Sequence, residues 1–505
     1  MSGGSCLCLC LTGPTLESDL RLLEEYRPYI ELAELRADFL SAEEAAAAAR
    51  FPRLAGLPVI LTIRRARDGG RFAGSESERV ALLRKLAAGG FAFVDLEQDV
   101  AAPGLEADIE AGGGRIIRSM HDFSGVPVDL PARIRRLARS PRELPKAAVM
   151  TRGTADLVRL LDAFGELAGT EKVLLGMGDC GFATRVLASR LGSRICYSSP
   201  PEANAAPRQA DPRTLQMLYR FSRIDADTAV YGVIGNPIMH SLSPSIHNRG
   251  FAALGLNAVY LPFLVDDLAS FWAVADSLDI RGISVTAPFK EEVLPALARR
   301  DALVEALGAC NTVTRVRGTQ RGEWEGTNTD VEGFLGPLRE AFAGAIPRGL
   351  RATVIGAGGA SRAVLQALVS QGAEVLLLNR TVERARELAH RFPVRAAPLD
   401  ERAPALAREY SRLIVQASSA GMEHDAGVDP FPGYQFSGRE VVYELIYRPP
   451  VTAFLDRARR AGCRLVFGEQ MLLAQAREQF RLFTGLNLPP EALELHREYI
   501  HETTP

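Results

Sequence analysis

Eight short apolar runs, each followed by a helical pattern, fill the first two hundred residues. They lie near 6–11, 30–36, 57–63, 91–97, 115–119, 143–150, 172–177 and 193–198. Amphipathic stretches separate them, as in Ser75-Glu76-Ser77-Glu78-Arg79-Val80-Ala81-Leu82-Leu83. Eight βα units in about 220 residues predict a (β/α)8 TIM barrel, and their regularity favours it over a doubly wound sheet. Around 199–212 the composition shifts to Ser-Pro-Pro-Glu-Ala-Asn-Ala-Ala-Pro-Arg-Gln-Ala-Asp-Pro, a loop before one last helix at roughly 212–222. A new strand opens near Tyr231, so a domain boundary is expected at about 223–229.

The βα rhythm then restarts and reaches a second constraining feature. Ala352-Thr353-Val354-Ile355 is an apolar strand that runs into Gly356-Ala357-Gly358-Gly359-Ala360 and a helical pattern. A glycine turn at a helix N-terminus lets backbone N–H groups approach a pyrophosphate. The next strand, Val375-Leu376-Leu377-Leu378, ends in Asn379-Arg380-Thr381, with Arg384 one turn on. An acidic residue there would suit the ribose hydroxyls of NAD; cations suit the extra phosphate of NADP. A helical segment follows from about 469.

In a barrel the polar residues at the C-terminal ends of the strands carry the chemistry. Here they are Glu34, Arg36 and Asp38, then Arg64, Glu97, His121 and Asp122, Lys146 and Arg185. Lys146 interrupts an apolar strand, Leu144-Pro145-Lys146-Ala147-Ala148-Val149-Met150. Desolvated and near other cations, such a lysine is expected to have a lowered pKa and to form an imine with a ketone. His121 could shuttle the proton next to that imine, and Arg36, Arg64 and Arg185 could bind a carboxylate through planar forks. The segments Glu34-Leu-Arg36-Ala-Asp38, Thr62-Ile-Arg64, Ser119-Met-His121-Asp-Phe123, Lys146-Ala-Ala-Val-Met150 and Met177-Gly178 resemble type I 3-dehydroquinate dehydratases, across almost all of 6–222. The resemblance implies that Lys146 forms the imine and His121 is the general acid–base. It also implies that Glu34, Arg36, Arg64, Arg185 and Gln209 hold the substrate. Four positions depart from the family pattern. Asp68-Gly69-Gly70 stands where Glu-Gly-Gly is usual, which implies a longer or water-mediated contact with His121. Ala205-Ala206-Pro207-Arg208-Gln209 replaces Ser-Ala-Pro-Gly-Gln, and Thr184 replaces Ser.

Four clusters precede the glycine turn. Gly235-Asn236-Pro237-Ile238-Met239-His240-Ser241-Leu242-Ser243-Pro244 offers two hydroxyls, and Gly282 to Lys290 brings Thr286 and an amine. Cys310-Asn311-Thr312 and Gly326-Thr327-Asn328-Thr329-Asp330 add an amide and a carboxylate. Small hydroxyls, amides and a Lys/Asp pair suit a polyhydroxylated acid and a proton transfer. Together the clusters resemble shikimate dehydrogenase over about 229–490. That resemblance implies substrate contacts from Ser241, Ser243, Thr286, Asn311, Tyr447 and Gln475, and a catalytic pair Lys290 and Asp330. For the cofactor NADP it implies Gly356, Ala357, Gly358, Gly359, Ala360, Asn379, Arg380, Thr381 and Arg384, with Leu445 and Gly468 at the nicotinamide end. Gln416 and Glu444 stand where Asn and Asp are favoured; neither change removes a catalytic group.

The two resemblances join chemically: dehydration of 3-dehydroquinate gives 3-dehydroshikimate, whose ketone NADPH can reduce to shikimate. The expected protein is a bifunctional enzyme of the shikimate pathway. Its expected domains are a barrel at 1–224, a substrate-binding domain at 225–334 completed by helices of 469–505, and a Rossmann NADP-binding domain at 335–468. The alternatives are an active dehydrogenase alone, or a non-catalytic sensor of quinate or shikimate. A net charge of −2 and a pI near 6.4 favour neither nucleic acid nor anionic membrane as partner. No run of about twenty apolar residues is present. Seven cysteines without a CxxC pair fit free thiols in a reducing compartment. With no targeting signal read in the sequence, a cytoplasmic location is expected, and a plastid form is the alternative. Cys6, Cys8 and Cys10 read as small buried strand residues, and no metal is expected.

Overall fold

The computed structural model describes residues 4–203, 209–316, 323–422, 425 and 427–494. The expectations for Ala205 and Arg208, and for helices beyond 494, lie outside the described residues. Every predicted strand of the first half forms: β1 (Cys6–Leu11), β2 (Leu32–Arg36), β3 (Val59–Thr62), β4 (Phe93–Glu97), β5 (Arg115–Asp122), β6 (Leu144–Met150), β7 (Val173–Met177) and β8 (Ile195–Ser198). They pair in parallel in the order β7-β6-β5-β4-β3-β2-β1-β8. A bridge between Lys172 and Ser193 brings the two ends together into a near-closed barrel. The helix expected at 212–222 is a shorter one, Pro212–Met217, followed by a single 3-10 turn at Phe221–Arg223.

Side chains alternate across a strand, so one phase of each barrel strand faces the interior. Near the strand starts that phase is apolar: Cys8, Leu32, Ile60, Phe93, Ile117, Leu144, Val173 and Ile195 form one buried cluster. Two residues on, the same phase carries Glu34, Thr62, Asp95, Ser119 and Lys146, all buried. Four residues on, it carries Arg36, Arg64, Glu97 and His121. The barrel is thus sealed below by hydrocarbon and polar above, at the C-terminal ends where such folds place their sites.

The second sheet contains β9 (Ala229–Gly235), β10 (Ala258–Leu264), β11 (Ile280–Val285), β12 (Arg299–Arg300), β13 (Thr312–Arg315) and β14 (Trp324–Thr327). Its order is β10-β9-β11-β13-β14-β12, and β13 is antiparallel to both neighbours. The third sheet is all parallel: β15 (Arg351–Ile355), β16 (Glu374–Asn379), β17 (Arg395–Pro398), β18 (Leu413–Gln416), β19 (Val441–Glu444) and β20 (Arg464–Val466). Its order, β17-β16-β15-β18-β19-β20, is the doubly wound Rossmann arrangement, with the strand order reversing between β15 and β18. Contact density divides the chain into two compact units, one ending at Arg281 and the other beginning at Gly282.

Candidate functional site

The upper layer of the barrel is a buried charge network centred on Asp95, a residue the sequence reading did not single out. Lys146 Nζ lies 3.0 Å from Asp95 Oδ2 and 3.9 Å from Glu34 Oε1. The same ammonium sits 3.9 Å over the Tyr197 ring. Its nearest charges are therefore carboxylates, not the cations expected of it. The other oxygen of Asp95 accepts from Ser119 Oγ at 2.6 Å and pairs with Arg64 Nη2 at 3.1 Å. Burial pushes the Asp95 carboxyl up, but the cations Arg64 and Lys146, with the Ser119 hydrogen bond, outweigh it and hold the group well below the usual carboxylate range.

Arg64 Nη1 donates to His121 Nδ1 at 3.1 Å. Burial, and then the cations Arg64 and Lys146, push the imidazole well below its ordinary value, so His121 is neutral and can accept a proton. The expected partner of this histidine is engaged elsewhere: Asp68 Oδ2 lies 2.7 Å from Arg65 Nε and 3.7 Å from Arg67 Nε. The shorter side chain leaves Asp68 on its own turn, and Arg64 occupies the imidazole instead. Glu34 accepts from Thr62 Oγ1 at 2.8 Å and from Cys10 Sγ at 3.2 Å, while Gln209 Nε2 donates to that sulfur at 3.5 Å. Arg36 forms a two-bond fork with Asp38, at 3.0 and 2.8 Å. Arg185 differs from all of these. It is 1 % exposed and donates from Nη1 to Tyr197 O at 3.2 Å. Its Nε and Nη2 have no partner among the described residues, and burial pulls its guanidinium below the ordinary arginine value. A buried cation with two free, coplanar donors is a ready carboxylate receptor.

In the second compact unit Asp330 plays the corresponding central part. It opens the helix Asp330–Ala341, and its N–H donates to Asn328 Oδ1 at 3.0 Å. Lys290 Nζ lies 2.6 Å from Asp330 Oδ2. The other oxygen accepts from Asn311 Nδ2 at 2.8 Å and Gln475 Nε2 at 2.9 Å. Four predicted residues thus meet at one carboxylate. Gln479, one turn past Gln475 and not anticipated, donates to Thr312 Oγ1 at 3.1 Å and accepts from Ser284 Oγ at 2.8 Å. Thr286 begins the turn closed by Phe289 N–H to Thr286 O at 3.0 Å, and Tyr447 is partly buried just past β19. Ser241 and Ser243 lie in the first unit, where Ser243 N–H donates to Ser241 Oγ at 3.3 Å as the helix Ser243–Ala253 begins.

The glycine turn follows β15 as predicted. Gly356 has φ +106°, and a Cβ there would stand 2.8 Å from Ser418 N. Both facts demand glycine. Gly358 and Gly359 face open space, with nothing within 4 Å of a built Cβ. They start the helix Gly359–Ser370, so its first-turn N–H groups border open space, the setting in which a helix N-terminus can take a pyrophosphate. Ala357 N–H donates to Asn379 Oδ1 at 3.1 Å, which ties the turn to the end of β16. Arg380 and Arg384 are exposed, and no carboxylate pairs with either among the described residues. Free cations at that strand end fit the 2′-phosphate of NADP. Thr381 O accepts from Asn379 Nδ2 at 2.7 Å. Gly468 lets its helix approach Leu445, whose O would stand 2.5 Å from a Cβ. Gln416 braces the facing loop, donating to Ala420 O at 2.8 Å and accepting from Ser418 N at 2.8 Å.

A lysine-bearing barrel joined to a dinucleotide-binding dehydrogenase is the class that fold and geometry define. Comparison with known proteins agrees along the chain. The family model for type I 3-dehydroquinase matches residues 7–226, that for the shikimate dehydrogenase substrate binding domain 233–313, and that for shikimate / quinate 5-dehydrogenase 345–422. The chain is 32 % identical over 454 residues to the chloroplastic bifunctional 3-dehydroquinate dehydratase/shikimate dehydrogenase of Arabidopsis thaliana, covering 86 % of this chain and 74 % of that one. It is 40 % identical over 285 residues to the shikimate dehydrogenase (NADP(+)) of Moorella thermoacetica, covering 54 % of this chain and 93 % of the relative. Among solved structures, a shikimate dehydrogenase in complex with NADP+ matches with a TM-score of 0.50 at 30 % identity, over 56 % of this chain and 98 % of its own. The chain belongs to the bifunctional 3-dehydroquinate dehydratase/shikimate dehydrogenase family. Its two activities are those of a lyase and an NADP-dependent oxidoreductase.

Glu444, beside the Leu445 position, yields a pH prediction. It is fully buried, accepting from Ile446 N–H at 3.2 Å and Thr452 Oγ1 at 2.9 Å. Burial pushes its carboxyl from 4.5 up to about 8. Between those values the folded chain holds a proton that the unfolded chain has lost, so stability falls as pH rises through that window. Glu444→Gln removes the titration. The thermal midpoint of the parent is expected to fall more steeply from pH 5 to 8 than that of the variant; equal slopes would discard the assignment.

Proposed function

We propose that the chain dehydrates 3-dehydroquinate in the barrel and reduces the resulting 3-dehydroshikimate in the second half, with the residue roles that follow. The carrying observation is Arg185, a buried guanidinium with two free donors in the same barrel as a lysine held against a carboxylate. The substrate carboxylate would take those donors, with Arg64, Arg36, Glu34 and Gln209 holding its other oxygens. Lys146 passes its proton to neutral His121, attacks the substrate ketone as the free amine and, as that proton returns to the departing hydroxyl to leave as water, forms an iminium that acidifies the adjacent C–H; water hydrolyses the iminium once elimination is complete. Asp95, held ionised, balances that cation as it forms. Neutral His121 takes the proton and returns it to the hydroxyl leaving from C1 as water.

In the second site Ser241, Ser243, Thr286, Asn311, Tyr447 and Gln475 orient the substrate hydroxyls and carboxylate. NADPH supplies the hydride. Lys290, oriented by Asp330, donates the proton that the developing C3 alkoxide needs. Gly356 to Ala360 hold the pyrophosphate, Asn379, Arg380, Thr381 and Arg384 the adenosine phosphate, and Leu445 and Gly468 border the nicotinamide. We assign 1–224 to the dehydratase, 225–334 with the last helices to the substrate domain, and 335–468 to the NADP domain. None of the seven cysteines forms a disulfide among the described residues, which supports a cytoplasmic location. No described helix is long and apolar enough to cross a membrane.

A dehydrogenase-only chain is the second reading, favoured by one observation: Asp68 pairs with Arg65 and not with His121. Borohydride with 3-dehydroquinate decides between them. It should reduce the imine, fix an adduct on Lys146 and abolish dehydratase activity; recovery of unmodified Lys146 under turnover conditions would sink the first reading. For the second half, Lys290→Ala should lower kcat for NADP-dependent shikimate oxidation by roughly a hundredfold or more. A near-parental rate would remove Lys290 from the mechanism. Arg380→Ala with Arg384→Ala should raise the KM for NADP roughly tenfold or more while leaving that for NAD almost unchanged. Equal effects on both cofactors would discard the 2′-phosphate role.

A further inference from the structure

Within the compact unit that ends at Arg281, two helices join the barrel to the start of the dehydrogenase half. The helix Thr154–Glu166 begins at the active-site end of β6, and its N-cap is Gly153, which has no side chain to satisfy first-turn N–H groups. A carboxylate 112 residues away does so instead. Asp266 Oδ1 accepts from Thr154 N at 2.8 Å and Thr154 Oγ1 at 2.6 Å, and Asp266 N donates back to Thr154 Oγ1 at 3.2 Å. A Cβ on Gly153 would stand 2.2 Å from Asp266 Oδ2, so only glycine admits the carboxylate. The next residue, Asp267, caps its own helix, Leu268–Ser277, by accepting from Ala269 N and Ser270 N at 3.1 Å each. Consecutive carboxylates therefore cap two helices that pack side by side. At the other end of the second helix, Arg190 Nη1 donates to Leu278 O at 2.5 Å. Cys180 Sγ lies 3.7 Å from Leu264 O, just before the capping aspartates.

These contacts fall on the loops after β6 and β7. Thr151 precedes the capped helix and donates twice to Met177 O, from N at 3.0 Å and from Oγ1 at 2.5 Å. Met177 ends β7, and Cys180 leads directly into the short helix Phe182–Val186 that carries Arg185. We propose that Asp266, from the dehydrogenase half, is a positioning residue for the dehydratase: by capping the helix after β6 it fixes the paired loops that set Arg185 against the substrate carboxylate. The proposal rests on the reading of Arg185 given above.

The test uses the full chain and both assays. Asp266→Ala should raise the dehydratase KM by roughly fivefold to tenfold, the scale that loss of an N-cap permits. Its kcat should stay within about twofold, because Lys146 and His121 are not displaced. Asp266→Asn, which can still cap, should restore most of the loss. Gly153→Ala should reproduce it by pushing the carboxylate away. The dehydrogenase constants should stay unchanged in all three. An unchanged dehydratase KM in both Asp266→Ala and Gly153→Ala overturns the proposal, as does a parallel fall of both activities. Arg185→Lys is measured alongside: an unchanged KM there overturns the carboxylate reading itself. A raised KM there, with no change in the Asp266 and Gly153 variants, overturns the positioning role alone.

Discussion

The dehydratase half depends on the buried carboxylate of Asp95. Two cations, Lys146 and Arg64, share it in a layer almost without solvent. An isolated charge in such a place costs far more than a small domain can supply, so the cations are tolerable only as partners of the anion. The same arrangement sets the protonation of its neighbour. With two cations already present and little solvent, a third would be repelled, and His121 stays neutral. One carboxylate thus makes a buried lysine, a buried arginine and a neutral imidazole compatible within a single barrel. Arg185 lies outside this balance. Among the described residues no carboxylate pairs with it, which is why the proposed reading gives it the charge that the substrate brings.

The barrel was legible because its signal is periodic. Eight apolar runs with helices between them leave few other topologies, and the phase of Lys146 with Leu144 and Ala148 placed it inside. The glycine turn was legible for a related reason: φ +106° at Gly356 and the close Ser418 backbone are demands a sequence can meet only with glycine. Asp95 was missed although Phe93-Val94-Asp95-Leu96-Glu97 has the same alternation. It lies two residues before Glu97, below the strand ends where the chemistry of a barrel is expected. Tyr197 was missed because an aromatic in a strand reads as core, and its contact with Lys146 depends on how the barrel closes. Asp68, one methylene shorter than the usual Glu, pairs with Arg65 three residues before it, and the neighbour of the His121 imidazole is Arg64.

The dehydrogenase half repeats the principle with different chemistry. Asp330 gathers Lys290, Asn311 and Gln475 around one carboxylate, and Asn311 is itself fixed by Thr329 N–H and Thr312 Oγ1, each at 2.8 Å. These residues come from separate segments, so no local pattern reveals their meeting; only the family resemblance linked them in advance. Gln479 shows the limit of that route. It anchors the same region one helical turn from Gln475, through Ser284 and Thr312, yet nothing in its sequence neighbourhood distinguishes it from an ordinary helix glutamine.

The two catalytic lysines differ in the way their proposed chemistries require. Lys146 has a side chain 4 % exposed, between a carboxylate and an aromatic face. A group that becomes an iminium must remain cationic through several steps without losing its proton to solvent, and exclusion of water protects the intermediate from early hydrolysis. Lys290 has a side chain 24 % exposed, against 6 % for Asp330. A group that gives up one proton at each reduction must regain it from water before the next turnover. The amine is the member of the pair that reaches solvent, and the carboxylate that holds it is buried. In the proposed mechanism, burial of the lysine thus separates covalent work from proton delivery in a chain that uses the same pair of residue types for both.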